Sequence, residues 1–204
     1  MKKIIAFLLT AFAGFQTFAQ ITPSWLRYSA ISPDGQTIVF TYKGDLYRVA
    51  ASGGSAKSLT VHEAQDFMPV WSHDGKSIAF ASDRYGNFDI FIIPAEGGEA
   101  KRVTYHSSQE YPYAFSNDDK NILFGSVRMD LAANRTFPTG SQPELYSVSV
   151  TGGRVNQVLS TPAEDVKFSK NGQYLIYNDK KGQENIWRKH HTSSVTREIG
   201  RAHV

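Results

Sequence analysis

Cysteine is absent from the 204 residues, which excludes a disulfide framework, a thiolate zinc site and a cysteine nucleophile. Stability must come from packing alone. An excess of charge of either sign is missing too. The formal +3 counts Lys2 and Lys3, which belong to a targeting segment, and Arg201, which lies in a terminal stretch set apart below. Without those three, 19 basic residues face 19 acidic ones. The mature domain is neutral, and nothing in its composition points to a nucleic acid or an anionic membrane surface as partner. No apolar run is long enough to cross a bilayer: Ile4 to Phe15 spans 12 residues, against roughly 20 for a membrane helix. A Gly-rich phosphate loop between a strand and a helix is also lacking, and no helix is expected beyond the N-terminal segment.

What is present is 41% hydrophobic residues and 13% aromatic ones, enough to bury a sizeable core. Residues 1–19 read as a signal peptide: Lys2 and Lys3, the apolar run, then the small residue Ala19 before Gln20. No Cys follows, which excludes a lipoprotein anchor. The mature chain is expected outside the cytoplasm, in a periplasm, with no membrane insertion after cleavage.

Four segments of the chain are copies of one another. They are Ile31-Ser32-Pro33-Asp34-Gly35 running to Phe40, Trp71-Ser72-His73-Asp74-Gly75 to Phe80, Phe115-Ser116-Asn117-Asp118-Asp119 to Phe124, and Phe168-Ser169-Lys170-Asn171-Gly172 to Tyr177. Each copy predicts a hairpin. An apolar residue closes one strand, Asp or Asn accepts backbone N–H bonds across a type I turn, and Gly supplies the left-handed residue from which the next strand departs. Asp119 stands where the other copies have Gly, and Asp enters the left-handed region more readily than most residues. Ile38, Ile78, Ile122 and Leu175 each precede an aromatic by two residues, so each pair lies on one strand face.

A second strand follows each hairpin: Asp45–Val49, Asp89–Ile93, Glu144–Val148 and the start of a fourth at Asn185–Trp187. Paired glycines come next, at Gly53-Gly54, Gly97-Gly98 and Gly152-Gly153, then a short polar strand. The turn position recurs at Gly35, Gly75, Asp119 and Gly172, at spacings of 40, 44 and 53 residues. Periods near 40 to 50 with four strands each signal propeller blades. The expectation is an all-β partial β-propeller over residues 20–198, about three and a half four-stranded blades of a six- or seven-bladed ring, with the fourth blade unfinished. The longest spacing comes from a polar insertion, Arg128 to Pro143, read as a long surface loop.

These blades resemble the propellers of the Tol-system translocation protein and of tricorn-type peptidases. They do not resemble WD repeats, whose Gly-His and Trp-Asp pairs are absent. Three stretches look specifically like bacterial tricorn protease homologues: Trp25-Leu26-Arg27-Tyr28, Ala81 to Asp89, and Trp187 to Arg197. The resemblance implies a first propeller, a second one, then a serine-peptidase core of the C-terminal-processing type with a PDZ-like module. The catalytic residues of such proteins lie in that core. No position here matches them, so no catalytic residue is assigned. The resemblance further implies a gating role toward peptides or unfolded polypeptide. No cofactor or metal is expected, and the parent has room to be an oligomer.

After Glu198 the resemblance predicts an aromatic and a further strand, but the chain reads Ile199-Gly200-Arg201-Ala202-His203-Val204. These residues can be encoded as a common sequencing-adapter read. Residues 199–204 are therefore expected to be non-native.

Candidate chemistry is sparse. His62 and His106 recur in register, as Thr60-Val61-His62 and Thr104-Tyr105-His106. A residue repeated in register usually does a structural job, and the alternative is contact with a substrate peptide. Arg84 sits in the densest charged cluster, with Asp83 and Asp89, and is the third candidate for substrate contact. Asp89 recurs as Asp45, Glu144 and Asn185, which favours a hydrogen bond from blade to blade. Asp34, Asp74 and Asp118 read as turn acceptors. His190 and His191 point to opposite faces of any strand, which makes them poor joint metal ligands.

Three readings follow, the first two from different classes. The first is the gating propeller of an exported tricorn-type serine peptidase, without its catalytic core. The second is a non-enzymatic Tol-like propeller that binds envelope proteins. A third is the propeller cap of a prolyl-oligopeptidase-type hydrolase, which a nucleophile elbow further along the gene would expose.

Overall fold

The computed structural model describes residues 25–128, 143–169, 171–179 and 198–203. The signal-type segment, most of the insertion after Arg128, and the strand expected at Asn185–Trp187 lie outside them.

The repeat folds as it reads. In the first turn the Ser32 hydroxyl donates to Asp34 Oδ1 at 2.5 Å and accepts the Thr37 N–H at 2.9 Å. Asp34 Oδ1 also takes the Gln36 N–H at 3.0 Å, and the Gly35 N–H closes on the Ser32 carbonyl at 2.9 Å. Ser72 with Asp74, Ser116 with Asp118, and Ser169 with Asn171 repeat the arrangement. Gly35 has φ 72° and Gly75 has φ 69°, and Asp119 takes the same left-handed backbone at 55°.

Each turn joins the first two strands of an antiparallel sheet. Sheet one runs β1 (Arg27–Ile31), β2 (Thr37–Tyr42), β3 (Asp45–Ala50) and β4 (Lys57–Ser58). Sheet two runs β5 (Asp66–Trp71), β6 (Ser77–Ser82), β7 (Asp89–Pro94) and β8 (Lys101–Arg102). Sheet three runs β9 (Glu110–Phe115), β10 (Asn121–Ser126), β11 (Glu144–Ser149) and β12 (Asn156–Pro162). Sheet four holds β13 (Glu164–Phe168), β14 (Tyr174–Asp179) and β15 (Glu198–His203). The strand beside β14 is thus formed by Glu198–His203, paired from Asp179↔Glu198 to Tyr174↔His203. Among the described residues no helix is long and apolar enough to cross a membrane.

Sheets pack face to face in chain order, and side-chain alternation decides what goes where. Val39 of sheet one meets Ile78 and Phe80 of sheet two. Ala79 and Ile90 of sheet two meet Ile122, Phe124 and Tyr146 of sheet three. Leu123 and Leu145 of sheet three meet Val166 and Leu175 of sheet four. A middle sheet is therefore covered on both faces, which is why β6 and β10 are apolar at consecutive positions rather than alternating. The first strands β1, β5, β9 and β13 neighbour one another in succession, so the sheets radiate from them like blades. The chain is an all-β partial propeller, as its repeats predict.

Candidate functional site

Every first strand carries a bulge at the same register. Between Phe67↔Ala81 and Val70↔Ala79, two residues of β5 oppose one of β6. The same occurs between Arg27 and Ala30 in β1 and between Glu164 and Lys167 in β13. In β9 the extra residue follows Pro112. The bulged residues Tyr28, Met68 and Asp165 have φ of 51°, 54° and 52°, a conformation that Asp enters readily but that is costly for Tyr and Met and is found where surroundings impose it. Pro112, at the equivalent place, is barred from it by its ring.

A bulge re-aims the side chains around it. Here the four bulges face one open groove of about 270 Å³, lined by Tyr28, Ser29, Met68, Pro69, Val70, Pro112, Tyr113, Asp165 and Lys167. Sheets one to three supply a largely apolar wall, and sheet four supplies the charges. Lys167 Nζ donates to the Tyr113 carbonyl at 3.2 Å, across the seam between sheets three and four. Asp165 Oδ2 accepts from Asn178 at 3.0 Å. Burial pushes the Tyr113 phenol well above its ordinary range, helped by the charges of Glu164 and Asp165. Ser29 is the one serine that lines the groove, and Asp165 and Lys167 are its charged lining residues.

The residues singled out in the sequence lie elsewhere, at the rim away from the Ser-Asp turns. His62 Nδ1 accepts the Ala64 N–H at 2.9 Å, and His106 Nδ1 accepts the Ser108 N–H at 3.0 Å. Each imidazole thus braces the segment leading to the next sheet. Burial lowers the pKa of His106, as does Arg128, against the opposing pull of Asp89. Arg84 is held by Asp66 at 2.8 Å, and Asp66 has no exposed surface. Its guanidinium also lies over the rings of Phe91 and Phe80. Sheet three repeats the pair as Arg128–Glu110 at 2.5 Å. Neither His62, His106 nor Arg84 lines the groove.

Asp45 and Asp89 bond within their own sheets rather than to the next. Asp45 Oδ1 accepts from the Thr60 hydroxyl and the His62 N–H, and Asp89 pairs with Arg102 at 2.7 Å. The start of the third strand faces the segment that leaves the fourth strand of the same sheet, so the nearest partner is local. Burial pushes the Asp89 and Glu110 carboxyls up, with Arg102 opposing it at the first and Thr104 and Arg128 at the second. Among the described residues no three His, Asp or Glu side chains are placed to hold a metal ion.

The groove residues escape sequence reading because Tyr28, Met68, Pro112 and Asp165 share no chemistry. Their one common signal is position, four residues before the turn serine in each copy.

In comparison with known proteins, the tricorn protease N-terminal β-propeller domain matches residues 23–199. Dipeptidyl-peptidase 5 of Porphyromonas gingivalis is 33% identical over 98 residues, which is 40% of this chain and 14% of that protein. A TolB homologue of Chlamydia felis is 34% identical over 74 residues, 35% of this chain and 17% of that protein. The chain thus spans less than a fifth of either relative. Among solved structures, a TolB of Agrobacterium tumefaciens superposes with a TM-score of 0.69 at 19% identity, over 89% of this chain and 59% of that one. Tricorn protease superposes at 0.62 and 23% identity, over 77% of this chain and 15% of that one. At such identities these two likenesses are likenesses of fold. The family match covers most of the chain, and the chain belongs to the family of the tricorn protease N-terminal β-propeller domain.

Proposed function

We propose that this chain is the substrate-gating propeller of an exported tricorn-type serine peptidase whose catalytic residues lie in a core outside this sequence. The observation that carries the reading is the groove at the inner strands. It gathers binding surface from all four sheets. A surface of that kind can select what passes to a reactive centre. Relatives whose names contain protease and peptidase support the link to proteolysis, and the signal-type segment supports export.

The test uses the full-length gene product and a version lacking residues 20–198, each assayed on a fluorogenic tetrapeptide and on labelled unfolded casein. The intact protein is expected to cleave both. The shortened one is expected to keep tetrapeptide hydrolysis while its preference between the two substrates changes. Absence of peptidase activity from the intact protein would sink the proposal. The similarity to a TolB homologue supports a second reading, a propeller that binds envelope proteins. That reading expects no hydrolysis and the co-purification of an envelope protein by the full-length product.

A further inference from the structure

We infer that the seam between sheets one and two, at the rim of the Ser-Asp turns, binds a free apolar α-amino acid. Arg48 takes its carboxylate, Asp34 and Asp74 take its ammonium, and Trp71 takes its side chain. The inference goes beyond the gating reading and does not depend on it.

This seam lacks the tie that closes the next one. At the second seam the His73 and Asp74 N–H groups donate to the Asp119 carboxylate. At the first seam Pro33 and Gly75 hold the positions of His73 and Asp119. Proline has no N–H to donate, and glycine has no carboxylate to receive one. A cavity of about 250 Å³ opens there, lined by both turns, by Arg48 of β3, by Trp71, and by Ala95 and Glu96 after β7. That volume lies below the roughly 300–1,000 Å³ of sites for drug-sized ligands, so the occupant is small.

The lining carries both signs of charge. Arg48 is peculiar to this seam, since Ile92 and Ser147 hold its register position in sheets two and three. Its Nη1 donates to the Ala95 carbonyl at 2.9 Å and to Glu96 at 2.6 Å. The N–H donors on Nε and Nη2 have no partner among the described residues, and together they present the edge that grips a carboxylate in two bonds. In each turn the bonds fall on one carboxylate oxygen. Asp34 Oδ1 takes the Ser32 hydroxyl and the Gln36 N–H, and Asp74 Oδ1 takes the Ser72 hydroxyl and the Lys76 N–H. Both Oδ2 atoms are left for a ligand, with only the exposed Lys76 ammonium beside that of Asp74, at 3.5 Å. The ring of His73 is held by Asp119. A plain anion would meet the carboxylates of Asp34, Asp74 and Glu96, and a plain cation would leave the guanidinium donors unused. A free α-amino acid carries both charges on a single carbon, whereas a peptide separates them. Trp71 is fixed by its Nε1–H bond to the Ala30 carbonyl at 3.2 Å, and with Pro33 and Ala95 it forms the apolar part of the lining.

The experiment titrates the full chain with L-leucine and follows the indole N–H signal of Trp71 in proton–nitrogen spectra, assigned with Trp71→Phe. Leucinamide lacks the carboxylate, N-acetylleucine lacks the ammonium, and glycine lacks the side chain. Each is expected to bind about tenfold more weakly than leucine, as suits the loss of one charge-assisted contact or one buried side chain. Arg48→Gln is expected to bind leucine and leucinamide alike. Asp34→Asn combined with Asp74→Asn keeps the turns, since Asn171 makes the same bonds in the fourth, and is expected to bind leucine and N-acetylleucine alike. Should Arg48→Gln fail to fold, the paired Asn variant carries the test. The inference is overturned if millimolar leucine leaves the Trp71 signal unmoved or if any of the three analogues binds as tightly as leucine. It is equally overturned if a folded variant keeps the preference of the unaltered chain.

Discussion

Asp119 holds His73 twice, through the backbone N–H at 2.8 Å and the ring Nδ1 at 2.8 Å, and its other oxygen takes the Asp74 N–H at 2.9 Å. The residue that replaces glycine in the third turn therefore ties that turn to the second. Its left-handed backbone costs about 1 kcal/mol relative to glycine, while each hydrogen bond to a charged acceptor contributes about 1.5 kcal/mol or more. The bonds win. Asp119→Gly should lower the melting temperature by several degrees despite restoring the residue found in the other three turns, with Asp119→Asn intermediate. An unchanged or higher melting temperature in Asp119→Gly would show that the tie contributes nothing.

The turn aspartates should set the acid limb of stability. The Ser32 hydroxyl and Gln36 N–H hold the Asp34 carboxyl below its ordinary value, the Lys76 N–H and Ser72 hydroxyl do so at Asp74, and the Ser116 hydroxyl and Lys120 N–H at Asp118. A carboxyl lowered in the folded state contributes stability that is present above its unfolded value, about 3.9, and is lost as pH falls through the folded one. The fourth turn is a built-in control, because Asn171 makes the same bonds without titrating. Asp34→Asn, Asp74→Asn and Asp118→Asn combined should flatten the fall in melting temperature between pH 5 and 3. A fall as steep as that of the unaltered chain would rule the turns out as its source.

How far the sequence could be read follows from where each feature is encoded. The hairpin is local: Ser32, Asp34 and Gly35 meet within four residues, so spacing alone predicts it. Sheet-to-sheet packing is nearly as local, because alternation along β6 sends Ala79 to one neighbour and Ile78 and Phe80 to the other. The groove is not local. It depends on a backbone bulge that accepts Tyr, Met, Pro or Asp, so residue type carries no signal. The tie from Asp119 to His73 spans 46 residues and shows in the sequence only as a missing glycine. His62 and His106 were legible as a repeat, but the bonds they make to Ala64 and Ser108 were not.

The buried acids should act in the opposite sense to the turns. Burial raises the Asp89 and Glu110 carboxyls in the folded state. Their contribution is therefore whole below the unfolded values and is lost as pH rises through the folded ones. In the unaltered chain this offsets part of the acid loss from the turns. Glu110→Gln removes the offset, so its stability should fall more steeply toward acid than that of the unaltered chain. At pH 7 it should be no less stable than the unaltered chain, because a raised carboxyl pKa means that the folded state favours the neutral form. Urea titrations across pH 4 to 7 give both quantities, and parallel curves for Glu110→Gln and the unaltered chain would contradict the argument.

The wall of the groove rests on one glycine. Sheets one and two have Thr41 and Ala81 at the place in the second strand where sheet three has Gly125, and a Cβ at Gly125 would strike the Tyr113 phenol. Tyr113 is almost fully buried, so the ring has little room to retreat except toward the groove it lines. Gly125→Ala should cost about 1–3 kcal/mol, the usual range for overpacking. Pairing it with Tyr113→Leu frees the space under the new methyl, so the double variant should regain stability relative to Gly125→Ala. If Gly125→Ala alone melts like the unaltered chain, Tyr113 is not held in place by the absent side chain.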